Sequence, residues 1–323
     1  MTRDKVVGMF LGVAIGDQIG SVVETKSMEY IAEKYGRIKT YLEGARTTDD
    51  TILTLAVADG LIKSPFNMNI QAKEHVAAFK KGIHGMGGTT RNAIRDIANG
   101  CPWQKSGQSG EGRGKGNGVA MKLAPIAPFI RKIAETESKE KRPTELLKAF
   151  TFVRDLTVMT HNTQMAVAAS FGHMVALLYA LEGVVDGVAS KILAGAKQGV
   201  KYAKAVGLPE ETDNILERFA KLENAKEMSV ADVVAEFGAL SCYCFDSVPG
   251  SHALWLGTPY QMEAVYDAVS AGGDTDSTAS MVGALVGALN GSKIFPEHLV
   301  EGLDQKDKVV ETAEKLCDKL GIE

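Results

Sequence analysis

The sequence predicts an all-α fold, and three observations carry that expectation. Apolar residues recur at steps of three and four over seven segments. Runs alternating apolar and polar, as half-buried strands do, are scarce. Ala, Leu, Met, Glu and Lys, good helix formers, fill the periodic segments, and the Asn-Gly and Asp-Gly pairs lie at segment ends or in a loop.

Taken in order, the chain starts on Met1-Thr2-Arg3-Asp4-Lys5 and leads into a Gly-rich, helix-like stretch, with no secretory apolar region or small-residue cleavage site. Residues 51–62 read as a helix that follows Thr47-Thr48-Asp49-Asp50. Residues 101–118 carry six glycines among polar residues and read as a long surface loop of the kind that binds ligands or forms insertions. The charged stretch 135–142 reads as a solvated connection. Helical periodicity then returns over 162–181, 185–206, 210–222, 261–269, 278–289 and 306–320. Within 278–289 the glycines Gly283 and Gly287 would each cost a helix about 1 kcal/mol against Ala, so their repetition points to close helix packing.

At 323 residues with 45% hydrophobic content the chain can bury a large core. Lys and Arg number 36 against 40 Asp and Glu, a net charge of −4, so no basic field draws it to nucleic acid or anionic lipid. Four cysteines are few, and Cys242-Tyr243-Cys244 is too tight for the usual zinc or redox spacing. No run approaches the roughly 20 apolar residues of a spanning helix. These features read as a cytoplasmic chain with reduced thiols.

Two acidic clusters stand far apart, Thr47-Thr48-Asp49-Asp50-Thr51 and Gly272-Gly273-Asp274-Thr275-Asp276-Ser277, each leading into an apolar run. Thr and Asp before such a run suit a helix N-terminus. A cap needs one acceptor, however, and four carboxylates with interleaved hydroxyls also offer hard-oxygen ligation for magnesium or manganese. The two readings are compatible. A calcium loop is excluded, because Ala279 and Leu285 stand where such a loop starting at Asp274 needs Gly and Glu. Gly112-Arg113-Gly114-Lys115-Gly116-Asn117-Gly118 lacks the Lys-Ser or Lys-Thr ending of a nucleotide P-loop and any strand before it, which leaves a ligand-approach loop. His161, after Thr160, and His84, among glycines, form no zinc-binding helix pair.

The combination resembles the ADP-ribosylglycohydrolases, including the dinitrogenase-reductase-activating glycohydrolases and ADP-ribosyl-acceptor hydrolases. It rests on Gly16-Asp17 through Glu24, Thr48-Asp49-Asp50-Thr51, Gly87-Gly88-Thr89-Thr90-Arg91, Gly116-Asn117-Gly118 with Met121, Thr160-His161, Ser247-Val248-Pro249 and Gly273-Asp274-Thr275-Asp276, in that order over roughly residues 5 to 300. The resemblance implies a single domain over 1–323, a compact orthogonal helical bundle. At its centre it implies two divalent metal ions, Mg2+ or Mn2+, with ligands from Thr48, Asp49, Asp50, Asp274, Asp276 and Ser277. Glu24, Asp49 and Asp274 would be catalytic, and Gly116, Asn117, Gly118 and His161 would meet the substrate, the Gly-Asn-Gly segment through its backbone amides.

The implied activity is release of ADP-ribose from an ADP-ribosylated protein or small-molecule acceptor by a monomer or weak homodimer, with nucleic acid only as a modified substrate. The alternatives are a catalytically silent ADP-ribose-binding or crystallin-like protein and a two-metal phosphohydrolase. Two positions depart from the family pattern: Lys122 stands where many relatives have Arg, and Ser277 where many have Thr. Gly85-Met86-Gly87-Gly88 lacks an acidic residue found in some arginine-directed relatives. Arginine-linked, serine-linked, O-acetyl and poly-ADP-ribose and ADP-ribosylated nucleic-acid ends remain open as substrates.

Overall fold

The computed structural model describes residues 1–323 and contains seventeen α-helices, four short 3-10 segments and no sheet. The first half holds α1 (Arg3–Gly20), α2 (Met28–Tyr35), α3 (Asp49–Lys63), α4 (Met68–Lys80), α5 (Gly88–Ala98), α6 (Trp103–Ser106), α7 (Ala127–Thr136) and α8 (Arg142–Val158). The second holds α9 (Gln164–Glu182), α10 (Val188–Lys204), α11 (Ile215–Ala220), α12 (Val230–Phe237), α13 (Cys244–Gly257), α14 (Glu263–Ser270), α15 (Thr275–Asn290), α16 (Glu297–Glu301) and α17 (Lys306–Leu320). The all-α expectation holds.

Two helices from opposite ends of the chain form the centre. α15 is buried from Thr275 to Leu289, and α1 is buried continuously from Gly8 to Gly20. Neither has a polar face, as expected of helices wrapped by others. They run antiparallel, because Gly8, Gly12, Gly16 and Gly20 meet Gly287, Gly283, Ala279 and Thr275 in reverse order. A four-residue step keeps these positions on one helix face. A Cβ added at Gly12 would overlap the Gly283 carbonyl, and one at Gly16 the Ala279 carbonyl. The small residues of the sequence therefore permit backbone-to-backbone contact. Around this pair 87 buried apolar residues form one continuous cluster.

Several local expectations change. Residues 210–222 are not one helix: Asn214 caps α11 through its Oδ1, and Glu211 instead accepts the Met165 amide at 2.6 Å, closing the start of α9. Residues 101–118 are not simply a surface loop. They contain α6, bury Ser106 and Asn117, and pair Gln108 with Thr160 and Asn162 through backbone bonds of 2.9 and 2.8 Å. α9 is long and apolar enough to cross a membrane by length and composition, contrary to the sequence reading, but 83% of its apolar window is buried inside the bundle.

Gly12→Ala tests the central contact. In an open helix interior this change stabilises by about 1 kcal/mol. Here overpacking is expected to reverse the sign and destabilise by about 1 to 3 kcal/mol, seen as a lower Tm. A raised Tm would contradict the close approach.

Candidate metal centre and active-site cleft

The helix pair brings the two acidic clusters together. Thr48 is the N-cap of α3, so Asp49 and Asp50 occupy its first turn. Asp274 precedes α15 without making a side-chain cap, which leaves its carboxylate available, and Asp276 lies in the first turn. Gly272 and Gly273 have φ of 75° and 78°, a region that favours glycine, and a Cβ on either would strike the Lys26 or Ala239 carbonyl. The Gly-Gly pair is thus what lets this loop pass between two other segments.

Asp17, from α1, is the hub that composition alone did not reveal. It is fully buried and accepts from the Thr48 amide at 2.8 Å, the Thr48 hydroxyl at 2.8 Å, the Thr51 amide at 3.0 Å and the Thr51 hydroxyl at 2.5 Å. It thereby fixes the first turn of α3 against α1. Oxygens of Asp17, Asp50 and Asp276 lie within 4.8 Å of one another, and so do those of Glu24, Asp274 and Asp276. Asp276 belongs to both groups. Ser277 donates to Asp50 Oδ2 at 3.1 Å, while the buried Asp50 Oδ1 has no partner. Asp49 stands beside Gly85 on the cleft wall and enters neither group.

The electrostatics follow from this crowding. Burial first, and then neighbouring carboxylates, raise the Asp49 pKa to about 7 and those of Asp50 and Asp276 well above the usual range; Glu24 is raised for the same reasons. The only buried cation at this site is Lys122, fully enclosed, with no hydrogen-bond partner; burial lowers it to about 8 against the pull of Asp49 and Asp50. An all-oxygen donor set, too many carboxylates for one ammonium and an orphaned carboxylate oxygen together fit hard divalent cations.

A cavity of about 500 Å³ opens above the cluster. It gathers Glu24, Asp49, Asp50, Gly116, Asn117, Gly118, His161, Asp274, Asp276 and Ser277 from the sequence reading. Thr48 is not on its wall, since its hydroxyl is turned toward Asp17. The Gly116 and Gly118 amides donate to no group of the chain, whereas the Asn117 amide is bound to the Cys242 carbonyl at 3.0 Å. This corrects the expectation for Asn117. Its side chain instead donates to Asp274 Oδ2 at 2.7 Å and to the Ser247 hydroxyl at 3.2 Å, holding the carboxylate in place.

His161 packs its ring against Gly116 and Gly118 and bonds Thr160 through Nδ1 at 2.9 Å. Burial, then Lys122, lowers its pKa to about 3, so it is neutral. The uncapped start of α5, Gly87 to Thr90, adjoins this segment, Thr90 beside Gly118 and the Thr89 hydroxyl accepting from the Gly114 amide at 3.5 Å, and Arg113 also lines the cleft. Neither Gly87-Gly88-Thr89-Thr90 nor Gly16-Asp17 has a place in the site from the sequence alone. Cys242, also on the wall, carried no sequence signal.

The sequence model of the ADP-ribosylglycohydrolases matches residues 1–322. The chain belongs to the ADP-ribosylglycohydrolase family. ADP-ribosyl hydrolysis is therefore its class of activity. Among similar proteins, ADP-ribosylhydrolase ARH3 of Mus musculus is 25% identical over 96% of this chain and 90% of its own length. The ADP-ribosyl-(dinitrogen reductase) glycohydrolase of Rhodospirillum rubrum is 24% identical over 94% and 92%, and ADP-ribosylarginine hydrolase Tri1 of Pseudomonas putida is 25% identical over 98% and 78%. A solved chain of an ADP-ribosylglycohydrolase-related protein complex has a TM-score of 0.67 with 23% identity and covers 98% of both chains, a likeness of fold.

The raised carboxyl pKa values make this glycohydrolase fold pH-sensitive without metal. Asp49, raised to about 7 from the ordinary Asp value near 4, keeps a proton in the folded chain that it would lose unfolded, so its contribution to stability falls as pH rises through about 7; the buried histidines, lowered by burial, oppose this trend below their ordinary value near 6.5. Above that range the carboxylates decide, and the metal-free Tm is expected to be lower at pH 8 than at pH 7. Saturating Mn2+ should raise it more at pH 8, where the carboxylates are ionised. A metal-free Tm that climbs over the same interval would contradict the electrostatic reading.

Proposed function

We propose that the chain is a single-domain, metal-dependent hydrolase that cleaves the glycosidic bond between ADP-ribose and an acceptor. The observation that carries this reading is the grouping of Glu24 with Asp274 and Asp276, and of Asp276 in turn with Asp17 and Asp50, in a cleft that is also lined by Gly116 and Gly118, whose amides are unpaired. Thr48, Asp49, Asp50, Asp274, Asp276 and Ser277 would hold the two cations, Mg2+ or Mn2+, with Asp17 orienting Thr48 from behind. When bound, the cations supply about four positive charges against the four Asp carboxylates and a fixed field in which the ribose hydroxyls orient.

The remaining work falls to the chain. The Gly116 and Gly118 amides and the start of α5 face the substrate diphosphate, since free backbone donors and a helix N-terminus favour anions. His161 offers an unprotonated ring beside them. Asn117 keeps Asp274 in register. Glu24, half-buried and inclined to hold a proton by burial and by Asp274 and Asp17, gives that proton to the departing nitrogen or oxygen as the bond to the anomeric carbon breaks. The resulting carboxylate then takes a proton from water as its oxygen bonds to that carbon. Water is consumed, ADP-ribose carries the new hydroxyl, and the acceptor leaves with its hydrogen restored.

Glu24→Gln is expected to lower kcat by about 10² to 10⁴-fold with a smaller change in KM, measured as ADP-ribose released from ADP-ribosylated substrates. Asp49→Ala and Asp274→Ala should weaken Mn2+ binding and abolish turnover while keeping helical circular dichroism. Wild-type turnover by either at limiting metal would sink the joint site. AMP among the products would transfer the reaction to the diphosphate.

A further inference from the structure

The turn that carries Thr48, Asp49 and Asp50 is held from two sides. Asp17 holds it from α1, as described above. On its other side the buried Thr47 hydroxyl donates to Asp304 Oδ2 at 3.3 Å and accepts from Gln305 Nε2 at 2.8 Å. The Asp304 amide in turn donates to Gln18 Oε1 at 2.7 Å, and Gln18 Nε2 donates to the Gly302 carbonyl at 3.2 Å. Gln18 follows Asp17, and Thr47 precedes Thr48. The bonds therefore close a ring, from Asp17 to Thr48, along the chain to Thr47, across to the Asp304-Gln305 corner and back through Gln18 to Asp17.

The backbone at this corner is unfavourable. Gln305 has a φ of 58°, a region that suits glycine and costs a residue with a Cβ. It also stands at the N-cap of α17, yet its side chain caps nothing and reaches Thr47 instead. Asp304 and Gln305 are both exposed, so neither serves to fill the core. What sets Gln305 apart from the glycine that its backbone would prefer is the bond to Thr47. That bond bears on a crowded turn, because Asp49 and Asp50 lie against the charges of Asp17 and Asp274.

We infer that Asp304 and Gln305 are positioning residues of the metal centre, acting through Thr47 to hold Thr48, Asp49 and Asp50 in the arrangement that takes up divalent cations. The inference rests on the metal-dependent reading above. Neither residue lines the cleft. With the ring closed, the ligands of this turn are arranged before an ion arrives. With it opened, binding must also select the competent arrangement, and affinity falls by the fraction of molecules that hold it. Since α17 packs against both α1 and α3, the ring ties this helix to a site that takes no ligand from it.

The test measures Mn2+ affinity of the full chain by titration calorimetry, beside the metal-free Tm. Gln305→Gly suits the backbone and removes only the side chain. It is expected to weaken Mn2+ binding about fivefold, the worth of one hydrogen bond, with a metal-free Tm no lower than that of the unaltered chain. Thr47→Val keeps the shape of the side chain but bonds neither neighbour, and should weaken binding about tenfold while Asp304 and Gln305 turn to water. For both, kcat should fall at limiting Mn2+ and return to within about twofold at saturating Mn2+. An Mn2+ affinity equal to that of the unaltered chain in either variant overturns the inference, and so does a kcat that stays low at saturating Mn2+. A Gln305→Gly chain whose Tm drops along with its affinity also overturns it, because the bond would then be structural only. Should Thr47→Val fail to fold, Gln305→Gly alone decides. Failure of the unaltered chain to bind Mn2+ overturns the metal-dependent reading itself and takes this inference with it.

Discussion

The structure depends on one constraint, that α1 and α15 touch backbone to backbone. A stripe of Gly8, Gly12, Gly16 and Gly20 on one helix meets Gly287, Gly283, Ala279 and Thr275 on the other, and there is no room between them for larger side chains. Asp17 follows Gly16 directly on the next position of the helix, and Asp276 and Ser277 open the opposing helix. A wider helix spacing would part Asp17 from Asp276, and the oxygens now within 4.8 Å would no longer share a site. The packing of small residues and the grouping of acids are therefore one arrangement.

Around that pair the molecule accepts unfavourable electrostatics and some unfavourable backbone. Carboxylates outnumber the single buried ammonium of Lys122, and their raised pKa values record the cost of burial and repulsion. Thr25 and Leu240 take left-handed φ values of 68° and 45° on either side of the Gly272-Gly273 loop, an uncommon state for residues with a Cβ. The bonds from Thr25 to Gly273 and from Asp274 to Leu240 hold both strained segments in place. Glu24 and Asp274 are thus fixed relative to each other by backbone, not by flexible side chains.

Much of this was legible in the sequence because the decisive signals are local. Thr48-Asp49-Asp50 and Gly273-Asp274-Thr275-Asp276 announce helix starts with surplus acid, and the glycines of 278–289 announce close packing. Asp17 was harder to read, since a lone acid after glycine in an apolar helix gains meaning only from Thr48 and Thr51, more than thirty residues away. Asn117 was misread in part because its neighbours suggested free amides, while its own amide is taken by Cys242, 125 residues on in the sequence. The break at Asn214 was missed because helical periodicity continues through 210–222, and only the capping of α9 by Glu211 draws the first residues away.

The long separation of the central helices also governs how the molecule comes into being. α1 leaves the ribosome long before α15, apolar on every face from Val6 to Gly16, and its partner starts only at Thr275. Until residues 274–290 have been made, α1 lacks the helix it closes against, and the acids of α3 have no counterpart from Asp274 and Asp276. Such distant contacts slow folding and prolong the exposure of sticky surface. The nascent polypeptide is inert by construction, because its centre cannot assemble until α15 has followed α1 out of the ribosome.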